Sequence, residues 1–136
     1  MAGGLNYKGL NAKKASAVGV ALITLLQNDD VRKALGGAGA GLTAWSKRTR
    51  ARFDAPLTDR YGQGALLHRI DALAAVIPEF ATLDAEFAAE LRTAEVELRR
   101  AAFVAGQMPV SKRVPAQRSI ARRLDKLERA LIDAVL

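Results

Sequence analysis

Cysteine is absent from this chain of 136 residues, and histidine occurs once, at His68. The first absence excludes disulfides, thiolate nucleophiles and Cys-ligated zinc or iron–sulfur centres. The second leaves no histidine pair for a metal site and one imidazole at most for a triad. Aromatic residues are few: four Phe, two Tyr and one Trp stand against 27 Ala. Alanine favours helix, whereas sheets draw on β-branched and aromatic side chains, so the composition points to close-packed helices. Half of the residues are apolar and 26% are charged, enough for one buried core and a solvated surface.

No long hydrophobic run is present either. The longest uncharged stretch of interest, residues 15–26 (ASAVGVALITLL), follows Lys13 and Lys14 in the manner of a signal peptide. Asp29, Asp30, Arg32 and Lys33 come next, and the small-residue site Ala38-Gly39-Ala40 lies too far downstream for cleavage. A membrane span needs about 20 apolar residues. The stretch therefore reads as a buried helix or an interfacial contact, with the cytoplasm as the expected compartment and the membrane surface as a further address.

Positive charge is in excess, at +7, and it is uneven. Residues 1–53 carry +7, residues 54–107 carry −4 and residues 108–136 carry +4. Basic ends around an acidic middle suit either internal pairing or a polyanionic partner. Fourteen Arg against seven Lys, beside so much Ala, fits a GC-rich bacterial coding sequence.

The expected fold is all-α: four to five helices, a C-terminal antiparallel hairpin of coiled-coil character and a mobile N-terminal segment. Residues 1–10 read as a loose tail, and Asn11 as the cap of a helix to about Gln27. Asp29 or Asp30 would cap a further turn that ends at Leu35. GGAGAG at 36–41 reads as a glycine hinge. Leu42 to Phe53 forms a basic amphipathic helix. Residues 54–61 form a linker, which divides the chain into a basic segment 1–53 and a helical core 54–136. Leu66, Ile70, Leu73 and Ile77 mark a third helix that breaks at Pro78.

The hairpin is expected over 78–136. Its first arm carries Phe80, Leu83, Phe87, Leu91, Ala94, Leu98 and Ala101 at three- and four-residue steps and stops at Gly106. QMPVSKRVP at 107–115 is the turn, and Ile120, Leu124, Leu127, Leu131 and Val135 form the second seam. Phe80, Leu83, Phe87, Leu91, Leu98, Ile120, Leu124, Leu127 and Leu131 are accordingly the expected helix-packing residues. The same seam suits a second copy of the chain equally well.

Chemical motifs are thin. Gly36 and Gly41 have P-loop spacing, but Leu42 stands where the phosphate-reaching lysine belongs. Gly39-Ala40-Gly41-Leu42-Thr43-Ala44 fits G-x-G-x-x-A without the strand that the motif requires. The carboxylates Asp84, Glu86, Glu90, Glu95 and Glu97 lack the Glu-x-x-His pairs of a metal bundle. No catalytic residue, cofactor, metal or small-molecule substrate is expected.

The positive signal is basic and aromatic. Trp45, Lys47, Arg48, Arg50, Arg52 and Phe53 on the helix 42–53, with Lys112, Arg113, Arg118, Arg122 and Arg123 near the hairpin turn, form the candidate anion-binding set. Two arrangements follow. In one, Trp45 and Phe53 enter a lipid interface while the cations meet headgroups. In the other, the aromatics are buried and the cations contact phosphates of a nucleic acid. The expected function is a non-catalytic helical protein that self-associates or binds a partner helix and attaches to an anionic surface, with membrane placed first. Nucleic-acid binding through a dimerising hairpin is the second reading. The third is a structural subunit or adaptor matched to an acidic protein partner.

Overall fold

The computed structural model describes residues 21–53 and 62–136. The expected tail at 1–10, most of the helix from residue 12 and the linker 54–61 lie outside the described residues. The chain is all-α. Residues 21–27 are helical (α1), followed by α2 (Asp29–Gly36), α3 (Ala40–Arg52), α4 (Gln63–Leu83), α5 (Ala85–Gly106) and α6 (Val110–Val135).

Local chemistry fixes the boundaries. Asn28, rather than an aspartate, caps α2: its side-chain oxygen accepts from the Asp30 N–H at 2.9 Å. Asp29 and Asp30 thereby fall inside the first turn, where the helix dipole favours negative charge. Half of the glycine run is absorbed into the ends of α2 and α3, leaving residues 37–39 between them. Its most constrained member is Gly41, because the Glu79 carboxylate of α4 lies where a Cβ would stand. This places an acid from another helix at the start of α3, which has none of its own in that turn.

Two prolines behave differently from expectation. Pro78 sits inside α4, exposed, and the helix runs on to Leu83. The break comes at Asp84, whose carboxylate accepts from the Phe87 N–H at 2.9 Å and starts α5. Phe80 and Leu83 therefore belong to the helix before the break. Pro115 likewise lies within α6, which begins at Val110, so the turn after α5 is three residues long instead of nine. Around Pro78, burial of Val76, Ile77 and Phe80 outweighs the backbone bond that the proline forgoes.

α4, α5 and α6 form a three-helix bundle. Gln63 meets Gln117 and Arg69 meets Asp125, so α4 and α6 run parallel, with α5 antiparallel to both. At one end Leu66 and Ile70 pack with Leu98, Ala102, Ala105, Ile120, Ala121 and Leu124. At the other, Phe80 and Phe87 meet with their rings tilted by 59° and centroids 5.7 Å apart, and α1, α2 and α3 add Leu22, Leu26, Val31, Leu35, Leu42 and Trp45 to the cluster. One core thus draws on both sides of residues 54–61. Each large side chain buried there contributes about 1.5–3 kcal/mol.

Candidate functional site

The expected packing residues meet inside one chain. Phe80, Phe87, Leu91, Leu98, Ile120, Leu124 and Leu131 are buried, and Leu83 and Leu127 are half-buried against the clusters. The seams of both arms are consumed by α4 and by one another.

The basic helix α3 splits into two faces. Lys47, Arg48 and Arg50 are exposed. Trp45 is only 2% exposed and stands edge-on to Phe80, with ring centroids 6.4 Å apart. It is a core residue, which corrects the expectation that it enters lipid. Phe53 is half-buried under Arg129, whose guanidinium carbon lies 4.5 Å from the ring centroid. Arg52 is also half-buried and turns toward Glu128 at 3.6 Å. Burial holds its pKa below the usual arginine value, against the attraction of Glu128. Arg52 and Phe53 thus serve the junction of α3 with α6.

That junction contains an ionic group for which the sequence reading made no provision. Arg69 of α4 donates to Asp125 Oδ1 at 2.6 Å and to Glu128 Oε1 at 2.5 Å. Burial pushes the Glu128 carboxyl up from its ordinary range, and the hydrogen bond from Arg69 opposes this. The signal was legible in principle. Arg69 lies between Leu66 and Leu73, and Glu128 between Leu124 and Leu131, all at seam spacing.

The second basic set runs along the first half of α6: Lys112 and Arg113 lie at the turn after α5, Arg118 about 12 Å from Val110, and Arg122 and Arg123 about 18–20 Å from it. Lys112, Arg118, Arg122 and Arg123 are exposed and Arg113 is half-buried. From Leu98 to Leu124 the chain has seven basic residues and no carboxylate. Arg99 is engaged: it donates to Asp71 at 2.7 Å and to Glu95 at 2.8 Å, and these bonds raise its pKa. Four apolar side chains share this end and were not anticipated. Phe103 is 64% exposed, Val110 63%, Val104 49% and Val114 41%.

Elsewhere the residues are inert to a simple chemical reading. His68 is exposed. Asp84 is a helix cap, and among the described residues no group of three His, Asp or Glu side chains converges as a metal site requires. Among the described residues, no helix is long and apolar enough to cross a membrane.

The fold and the surface define an all-α protein in which residues 98–124, basic and without a carboxylate of their own, carry exposed apolar side chains. Comparison with protein-family models, curated proteins and solved structures finds no match to this chain.

Proposed function

We propose that this is a cytoplasmic, non-catalytic helical protein that attaches to an anionic membrane surface through the end of the bundle where α5 turns into α6. The observation that carries the reading is the stretch from Leu98 to Leu124, with seven cations and no acid, of which Arg99 is already engaged by Asp71 and Glu95. Each Lys or Arg held near an anionic leaflet contributes about 1 kcal/mol. The exposed Phe103, Val104, Val110 and Val114 beside those cations favour a lipid surface, which rewards apolar contact, over a phosphodiester backbone, which does not.

Lys47, Arg48 and Arg50, exposed on a helix whose Trp45 is buried, favour nucleic acid as the second reading. An adaptor role with an acidic protein partner is the third, and self-association would then use a surface other than the consumed seams. Co-sedimentation with anionic and zwitterionic vesicles, against duplex DNA, separates these. The proposal expects binding to anionic vesicles that weakens as salt rises. Binding to DNA alone, or to neither, would refute it.

A further inference from the structure

Resting on the membrane reading above, we infer that the α5–α6 turn is an inserting wedge. Phe103, Val104, Val110 and Val114 enter the headgroup–acyl boundary of an anionic bilayer, while Lys112 and Arg113 hold its headgroups.

The wedge follows from a mismatch in helix ends. Stepping back from the buried Gln117 by three and by seven residues gives Val114 and Val110, so both belong to the core-facing stripe of α6. Both are nevertheless exposed. The helix that covers this stripe, α4, begins at Gln63, which accepts from Gln117 Nε2 at 3.3 Å. The Gln63 side chain also lies against Gly106, the last residue of α5, so α4 meets the other two helices here through this one side chain, and Val114 and Val110, about 5 and 10 Å along α6 from Gln117, stay exposed. Phe103 and Val104 lie in the last turn of α5. All four apolar side chains thus stand within about 6 Å of the turn, measured along the helix axes.

Insertion of a turn is ordinarily opposed by its backbone polar groups. Here four donors are already used, while those of Val110 and Ser111, at the start of α6, have no backbone partner among the described residues and would face the headgroups. The N–H of Gln107 bonds to Val104 O, that of Met108 to Ala105 O, and those of Lys112 and Arg113 both bond to Pro109 O. Interfacial helices bury their apolar face by about 5–10 Å, a depth that takes in the exposed Phe103, Val104, Val110 and Val114, all within about two turns of the helix ends. Lys and Arg at such a depth extend their long stems so that the charge stays at the headgroups. An anionic leaflet is the complementary occupant, because no carboxylate lies between Glu97 and Asp125 to repel it.

The geometry also sets an orientation. Arg52, at the end of α3, contacts Glu128, which is about 27 Å along α6 from Val110. With the turn inserted, Lys47, Arg48 and Arg50 stand clear of the surface.

The absence of cysteine allows a single-site probe in the full chain. Val110→Cys and Lys47→Cys, both at exposed positions, would each be labelled with the environment-sensitive fluorophore NBD. Each would be mixed with phosphatidylglycerol-containing vesicles, with and without spin-labelled acyl chains. The wedge predicts that the probe at position 110 brightens severalfold and is quenched by the spin-labelled chains, while the probe at 47 is unchanged. In the unlabelled chain, Phe103→Ser with Val110→Ser should weaken partitioning about tenfold or more. Vesicle binding without quenching at position 110 would overturn the wedge and leave electrostatic attachment standing. No binding to vesicles would overturn both.

Discussion

The Arg69 guanidinium meets the Glu128 carboxylate at 2.5 Å, and each side chain is 1% exposed. This pair joins α4 to α6 in the layer where α3 also arrives, through the Arg52–Glu128 contact. Neither charge could be buried alone without a large desolvation cost. Removing one partner strands the other. Arg69→Met is therefore expected to destabilise the fold by about 3–5 kcal/mol. Arg69→Met with Glu128→Leu should lose clearly less, because the charges that then lose a partner, Arg52 and Asp125, are partly exposed to solvent, unlike Glu128. Urea unfolding of the two variants checks the difference, and equal losses would contradict it.

The same carboxylate makes stability depend on pH. Its folded pKa is raised above the ordinary 4.5. Between the unfolded and folded values the native state holds the extra proton, so this group's contribution falls as pH rises through that window. Glu128→Gln does not titrate. The stability of the variant relative to the native chain should accordingly improve as pH rises from about 4.5 toward neutrality. Denaturant titrations of both proteins across that range measure it, and a trend in the opposite direction would show that ion pairing outweighs burial.

Hydroxyls on the inner face of α3 give a stability prediction of the other sign. Thr49 Oγ1 is buried and has no hydrogen-bond partner among the described residues. Thr49→Val keeps the shape and removes the unpaired polar atom, so a gain of about 1 kcal/mol is expected. A loss in thermal or urea unfolding would reveal a partner for this hydroxyl.

Trp45 offers a spectroscopic check on its reassignment from lipid contact to core. Its emission should already be that of a buried indole in the free protein, and it should not shift further on adding anionic vesicles. Trp45→Ala should cost about 3–5 kcal/mol by leaving a cavity against Phe80. A vesicle-induced blue shift would mean that α3 detaches from the bundle.

Much of the fold was legible because helical periodicity reports burial directly. Phe87, Leu91, Leu98, Ile120, Leu124 and Leu131 fall on seams and are all buried. The boundaries were harder to read. At Pro78 the proline rule argued for a break, yet its exposed position leaves the unserved carbonyl side of α4 toward solvent, and the helix continues. The real stop was written in Asp84, a capping residue with Glu86 in the turn it starts. Reading Pro115 as part of the turn hid Val110 and Val114, since a seam cannot be extended into a segment taken as loop. Their exposure could not be read locally at all: it depends on where α4, a helix 47 residues earlier in sequence, begins. Trp45 was ambiguous for a related reason, because one aromatic stripe suits a core and a lipid interface equally.

The site of attachment can be located by co-sedimentation of two charge-neutralised chains with anionic vesicles at low salt. One carries Lys112→Gln, Arg113→Gln, Arg122→Gln and Arg123→Gln on α6; the other carries Lys47→Gln, Arg48→Gln and Arg50→Gln on α3. All seven positions are exposed or half-buried, so the bundle should be retained in both. Attachment through the α5–α6 end predicts that the first chain loses affinity by about thirtyfold or more, mostly through Lys112 and Arg113 at about 1 kcal/mol each, while the second stays within a few fold of the native protein. The reverse pattern, with the α3 variant released and the α6 variant still bound, would contradict the account.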